Sequence, residues 1–466
     1  MTSSPSPAGT PIRVPARIAG SIALGTLLNP LNSSMIAVGL IALQGEFRVG
    51  FAASSWLISA FYLAASVAQP LMGRLADRLG PRRVFCTGLT IVGATGILVL
   101  FAPGFGWVVA ARALQAIGSS AAFPAGLALI RRLAGGQPPT GTLGTLSVAN
   151  TASAAFGPVL GGLLIALAGW RGMFAVNIPL AALGLILALR WLPADPPRAT
   201  RFRLRDLDLP GVGLFAVTIT GLLGFLLSSD DRRWVLALVV PVAAAALIWW
   251  ERPVANPFLD VRGLAADRRL LGVLGQQIAV QAVYYMIFYG LPQWLERVRG
   301  YPAPAAGLLM LPVAALGVIL TPVAARVIRR SGPGPSLLIG SAGLLIGAGL
   351  LFVLIGDRSG VPSVLVVGAV LGLPVAFNNL GLQAALYAAA PAHQAGTAAG
   401  LFQTSRYIGA ILSTALLGIL FGGVASSAGL HRVAAVVAVM SIVLAVAATR
   451  SPSPNRHPPT DEPPPA

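Results

Sequence analysis

The chain has 466 residues, 56% of them hydrophobic and only 10% charged. A water-soluble domain needs about a quarter of its residues charged, so lipid must be the solvent for most of this surface. The net charge of +18 rests on 32 basic residues, every one an Arg. Without Lys there is no Walker A phosphate loop, which excludes an ATP-driven pump working by itself.

A helix crosses the hydrocarbon with about 20 apolar residues, and fourteen such runs follow one another. Residues 1–17 are a polar, Pro-rich tail, expected to be disordered. Spans are expected near 18–42, 51–72, 84–102, 107–130, 141–166, 172–192, 210–228, 233–250, 270–291, 304–326, 335–355, 361–385, 396–421 and 431–449. They are numbered here as helices 1 to 14. A second Pro-rich tail, 450–466, closes the chain. Solid apolar runs exclude a β-barrel, whose strands are short and alternating. The first run is too long for a signal peptide's apolar core and no small-residue cleavage site follows it, so it is read as a retained span.

An even number of spans places both chain ends on one side. Segments on that side carry 22 Arg and the opposite loops 8, which predicts cytoplasmic termini by the positive-inside rule. The positive charge is therefore topological, and neither nucleic acid nor nucleotide is expected as a partner. Cys86 is the lone cysteine, and His393, His431 and His457 have no metal-ligand spacing. No metal and no cofactor are expected.

The chain carries an internal echo. Pro70-x-x-Gly73-Arg74-x-x-Asp77-Arg78-x-Gly80-Pro81 aligns with Pro322-x-x-Ala325-Arg326-x-x-Arg329-Arg330-x-Gly332-Pro333 at an offset of 252. The same offset places Ser153 and Gly157 of helix 5 on Ser405 and Gly409 of helix 13. Transporters are commonly built from such repeats, with the substrate site between them near the midplane. The organisation expected is a six-helix half (18–192), a linker with two extra helices (193–269), and a second six-helix half (270–449).

Three motifs carry a resemblance. The loop Gly73–Arg83 (Gly73, Arg74, Asp77, Arg78, Gly80, Arg82, Arg83) is similar to the signature between helices 2 and 3 of the major facilitator superfamily. Helix 4 carries Arg112-x-x-Gln115-Ala-x-Gly118, similar to that superfamily's helix-4 motif. Helix 5 carries Gly157-Pro158-Val-Leu-Gly161-Gly162, which resembles the antiporter motif of drug exporters. Trp170-Arg171…Phe174…Asn177-x-Pro179 and Leu291-Pro-Gln-Trp294 extend the resemblance to the 14-helix drug:proton antiporter-2 family. It implies an all-α, polytopic major-facilitator fold of 6 + 2 + 6 helices. It also implies a secondary transporter that exports small molecules across a bacterial cytoplasmic membrane, coupled to protons and not an enzyme.

The residues have physical readings of their own. Asp77 lies among four Arg and can take charge-assisted bonds at a helix N-terminus. The cluster then acts as a conformational latch, against the plainer reading of a topogenic loop. Arg112 and Arg406 are charges inside spans, which mark functional sites by default, although Arg112 is near enough to an interface to snorkel. Gly157, Pro158, Gly161 and Gly162 give helix 5 a thin, bent face for close packing. Ser153 stands where the family pattern has Gly, and being small should preserve that packing. Gln277, Gln281, Tyr284 and Phe288 share one face of helix 9, and Asn379, Gln383 and Tyr387 one face of helix 12. They line a substrate cavity or serve as interhelical glue. Asp206 and Asp208 are expected to be salt-bridged to Arg201, Arg203 and Arg205.

The departure from the family is Asn32, in Leu31-Asn32-Ser33-Ser34, where the resemblance implies an Asp. No acidic residue falls within an expected span, so the charge inside the membrane is positive only. That favours neutral or anionic substrates and puts proton coupling in question. An importer or uniporter of the same fold, or less readily a membrane-embedded enzyme, are the alternatives, and a monomer is expected. Cysteines placed at Ser4 and Ser453 should stay unlabelled by an impermeant maleimide added to intact cells.

Overall fold

The computed structural model describes residues 14–134, 140–195, 208–227, 232–254, 257–258, 262, 267–389 and 395–449. Residues 1–13 and 450–466 of the two expected tails lie outside this set, as do Asp206, Arg201, Arg203 and Arg205. Every described element is helical. Twelve helices are long and apolar enough to cross a membrane. Two shorter apolar helices, Asn177–Trp191 and Leu209–Leu222, stand where helices 6 and 7 are expected.

The first half contains helix 1 (Ala16–Val38), helix 2 (Phe51–Leu79), helix 3 (Pro81–Leu100), helix 4 (Phe105–Leu133), helix 5 (Ala152–Ala175) and helix 6 (Asn177–Trp191). Helices 7 (Leu209–Leu227) and 8 (Arg232–Glu251) form the inserted hairpin. The second half follows with helix 9 (Arg268–Arg297), helix 10 (Ala303–Ser331), helix 11 (Pro333–Leu354), helix 12 (Val361–Ala389), helix 13 (Ala395–Phe421) and helix 14 (Ser427–Thr449). The echo seen in sequence recurs in the turns. Gly80 (φ 100) and Gly332 (φ 81) each end a helix one residue before a Pro that starts the next. Both backbones lie in the region that favours Gly, and Pro fits the first helical position, where its missing N–H costs nothing.

Helix 1 is shorter than the sequence predicts. It tightens to a 3-10 turn at Ile36–Val38, and a separate short helix, Leu40–Phe47, ends at Arg48 with φ 51. Helix 5 is interrupted at Ala168 and Gly169, which leave helical geometry.

Contacts define two faces. The face on which the described chain begins and ends, termed the terminal face, holds the helix 2–3 turn, the C-terminal end of helix 4 and the segment after helix 6. These meet through Arg82, Arg132 and Asp195. On the far face the helix 1–2 connection and the C-terminal ends of helices 9 and 13 meet, with Phe51 and Phe421 rings 5.9 Å apart. One continuous apolar core crosses between the halves, from Ile36, Phe61 and Tyr62 to Tyr289, Trp294 and Phe421. A second, with Ile22, Phe85, Leu89 and Leu129, lies within the first half. Large side chains on the perimeter, such as Leu167, Trp249 and Val353, are exposed, as expected where the solvent is acyl chain.

Helix 5 packs closely against its neighbours. A Cβ on Gly157 would sit 1.8 Å from Ser34 Oγ of helix 1. One on Gly162 would sit 2.5 Å from the Ala303 carbonyl of helix 10, in the other half. Ser153 donates to the Leu27 carbonyl at 2.8 Å, so the Ser-for-Gly departure preserves the packing and adds a hydrogen bond. Gly157→Val should lower the purified protein's stability by about 1–3 kcal/mol through overpacking. Ser153→Ala should cost only about 0.6 kcal/mol, a typical interhelical hydrogen bond in lipid. Thermal unfolding in detergent orders the two.

Candidate functional site

A buried polar node joins helices 1, 2, 4 and 6. Asn32 and Asn177 exchange amide hydrogen bonds: Asn32 Nδ2 donates to Asn177 Oδ1 at 2.6 Å, and Asn177 Nδ2 to Asn32 Oδ1 at 2.9 Å. Gln115 Nε2 also donates to Asn32 Oδ1, at 3.2 Å. Arg112, 2% exposed, donates to Gln115 Oε1 at 2.7 Å, to the Asn32 carbonyl at 3.3 Å and to the Leu57 carbonyl at 3.5 Å. Its guanidinium stands 4.3 Å from the centre of the Phe61 ring. Burial this deep rules out snorkelling: the charge is satisfied by oxygens and a π face. Every recorded partner is neutral. An isolated charge in hydrocarbon is costly, and here dipoles take the place that a carboxylate would otherwise fill.

Next to this node lies the seam between the halves. Tyr62 and Tyr289 hydroxyls are 3.0 Å apart, and Tyr289 donates to the Ser33 carbonyl at 3.3 Å. Ser59 meets Thr414 at 2.9 Å, and Tyr407 donates to Gln69 Oε1. Tyr285 stacks on Tyr289 with centroids 5.4 Å apart and contacts Tyr62 at 5.3 Å. Arg406 donates to the Tyr285 hydroxyl at 3.5 Å, and its Nε is buried with no hydrogen-bond partner.

On the other side of helix 9 a narrow crevice runs into the second half. Gln281, Tyr284, Phe288 and Asn379 are among its lining residues, and Gln281 Nε2 donates to Asn379 Oδ1 at 2.9 Å. The stripes read from helices 9 and 12 thus meet. Gln277 is fully buried with Oε1 unpartnered. Gln383 is exposed and is not among the crevice residues. The side chain of Tyr387 lies outside the described set.

On the terminal face the arrangement differs from the sequence reading. Asp77 is exposed in the last turn of helix 2, not placed on a helix N-terminus. That position belongs to Asp195, whose carboxylate accepts the backbone N–H of Arg82 at 3.1 Å and of Arg83 at 2.9 Å. Arg132 of helix 4 meets the same carboxylate at 3.5 Å. Arg82 donates onward to the Leu189 carbonyl at 2.5 Å. Arg74 donates to the Pro257 carbonyl at 2.6 Å, in the connection after helix 8. Asp208 is buried and held by N–H donors; the Arg neighbours expected to pair with it lie outside the described residues.

Tyr62, Tyr285, Tyr289, Tyr407 and Asp195 escape the sequence reading, as does the pairing of Asn177 with Asn32. Asn177 stands in the quoted helix 5–6 motif, but its partner is 145 residues away. Tyr285 and Tyr289 form an i, i+4 pair that adjoins the stripe read on helix 9. Asp195 carries no local signal.

Residues 22–414 match the model of the Major Facilitator Superfamily. The chain belongs to this superfamily, and it is a membrane transporter, not an enzyme. It is 38% identical over 405 residues to the uncharacterized MFS-type transporter YwoD of Bacillus subtilis, covering 86% of this chain and 89% of that one. It is 28% identical to the multidrug resistance protein Stp of Mycobacterium tuberculosis, over 85% of this chain and 74% of Stp. Its fold resembles the crystal structure of the nucleoside transporter NupG, with a TM-score of 0.65 at 14% identity, covering 93% of this chain and 99% of that one.

Asp195→Ala should destabilise the protein by about 0.5–2 kcal/mol, the usual range for losing a helix N-terminal acceptor. Asp77→Asn should leave the unfolding temperature unchanged. Thermal unfolding of the two purified variants separates the structural acid from the exposed one.

Proposed function

We propose that the protein exports small molecules from the bacterial cytosol by alternating access, with the terminal face cytoplasmic and the substrate held at the seam between the six-helix halves. Arg406 carries this reading. It is a half-buried cation at the seam whose recorded partner is a phenol and whose buried Nε has none. A buried polar atom without a partner costs about 1–3 kcal/mol, a cost that a substrate oxygen would remove on binding.

Two further features support a neutral or anionic substrate. The Arg112 node contains amides and carbonyls in place of a carboxylate. The crevice on the other side of helix 9 offers Tyr284 and Phe288 rings, 5.4 Å apart and stacked, with amides at its edge. Such a site gives an aromatic or apolar body a surface and a polar head a hydrogen-bonding partner. Export, as opposed to uptake, is supported by the similarity to Stp and by the helix-5 glycines.

Proton antiport is the energy source in this reading. The proton then travels on acids at the membrane borders, Asp77 among them, or on the substrate, since Asn32 cannot carry it. The helix 2–3 cluster serves as a latch on the cytoplasmic side. A substitution there should slow turnover without lowering expression.

The test is uptake into inside-out vesicles under an imposed pH gradient, with matched neutral, anionic and cationic aromatic compounds. Neutral or anionic compounds should accumulate, and Arg406→Gln should reduce uptake about tenfold or more, the equivalent of one charged hydrogen bond lost. Asn32→Asp should shift preference toward quaternary ammonium compounds by supplying the missing carboxylate. Strong cation export by the wild type, unchanged in Asn32→Asp, would overturn the charge preference.

A further inference from the structure

The inserted hairpin is the least explained part of the molecule. Helix 8 is peripheral, with 17% of its apolar window buried. Helix 7 is not peripheral. It packs against helix 2 of the first half and also against helix 13 of the second, and Phe215 and Ile219 join the core shared by the halves. A helix that touches both moving bodies must travel with one and slide on the other.

The base of the hairpin shows which. Asp208 directly precedes helix 7 and is 6% exposed. Its φ of 48 is unusual for a residue with a side chain, and such strain persists only where surrounding contacts hold it. Those contacts are present. Oδ1 accepts the Gly211 N–H at 3.2 Å, as an N-cap does, and the Trp250 indole N–H at 2.8 Å. Oδ2 accepts the Phe258 N–H at 2.9 Å. One carboxylate therefore clamps the start of helix 7, the end of helix 8 and the strand of chain leaving the hairpin. The fit is tight: a Cβ on Gly211 would lie 2.4 Å from Asp208 Oδ2 and 2.5 Å from Glu251 Oε1. The peptide group beside Phe258 then reaches the first half, because the Pro257 carbonyl accepts from Arg74 of helix 2 at 2.6 Å. Phe258 also packs on Phe215 of helix 7, with ring centroids 5.4 Å apart.

We propose that Asp208 is a positioning residue that fastens the hairpin to the first half, through the Phe258 amide and the Pro257–Arg74 bond. Helices 7 and 8 then move as part of that half, and helix 7 slides along helix 13. In doing so it lines the lipid side of the helix 2–helix 13 seam in both states. The proposal rests on the rocking of the halves proposed above, and the experiment separates the two.

Spin labels are placed in pairs on a Cys86→Ser background, at lipid-facing Leu98 of helix 3, Val217 of helix 7 and Val353 of helix 11. Distances are measured by pulsed electron resonance in nanodiscs. Gly162→Trp wedges the far-face seam, since even a Cβ there would meet Ala303 of the other half. The 98–353 distance should shift between parent and wedge variant, which reports the rocking itself. The 98–217 distance should stay constant and the 217–353 distance should follow 98–353. Asp208→Asn should broaden or shift 98–217, and Asp208→Glu should restore it at least in part. Should the wedge fail to fold, Ser59→Cys with Thr414→Cys, whose hydroxyls are 2.9 Å apart in the parent, holds the seam shut. The comparison is then between oxidised and reduced protein. An unchanged 98–353 distance overturns the rocking, and with it this proposal. A moving 98–353 with a moving 98–217 overturns the fastening alone, whichever half the hairpin then follows. A 98–217 distance untouched by Asp208→Asn overturns the role of Asp208.

Discussion

A charged guanidinium buried in a lipid-solvated protein must find oxygen, and much of the organisation around helix 4 answers to that requirement. Arg112 is reached by the Asn32 and Leu57 carbonyls, the Gln115 side chain and the Phe61 ring. These come from helices 1, 2 and 4. Each oxygen given to Arg112 leaves another polar group to satisfy, and the chain of obligations ends in the reciprocal amide pair of Asn32 and Asn177. A network of this kind is stable only when every member is paired. It therefore ties helices 1, 2, 4 and 6 together.

The seam depends on that rigidity. Tyr289, from the second half, donates to the Ser33 carbonyl one residue past Asn32, so the polar node and the inter-half contact share the same stretch of helix 1. Pro30 lies within that stretch and Gly157 of helix 5 packs on it through Ser34. The tyrosines of the seam hold the halves together by hydroxyl contacts and stacked rings, interactions that are each weak singly. Helix 5 adds contact by backbone approach alone: Gly162 meets Ala303, and Pro158 meets Gly307. Small residues at such a crossing permit sliding without a large side chain to dislodge.

The two acids that matter most for the terminal face both lie outside the signature loop. Asp195 accepts two amide N–H groups at the start of helix 3, while Asp208 gathers three donors at the base of the hairpin. The loop's own arginines face them from two directions, Arg82 toward helix 6 and Arg74 toward the hairpin exit. The signature loop is thus the place where the first half and the inserted helices are tied together.

Composition and apolar runs alone determined the solvent, the helical class and the places of the twelve helices long enough to span, because crossing hydrocarbon imposes a length and an apolarity on each run. The face of helix 9 with Gln281, Tyr284 and Phe288, the helix-5 glycines and the intramembrane arginines were legible for the same reason: each is a local departure from uniform apolarity. The pairing of Asn32 with Asn177 was not, nor that of Gln69 with Tyr407, nor the capping of helix 3 by Asp195. Gln383 shared the periodicity of Asn379 and yet came to lie exposed. Sequence periodicity assigns a residue to one side of its own helix. Which neighbour that side meets follows from the crossing of helices far apart in the chain, and only the tertiary structure decided it.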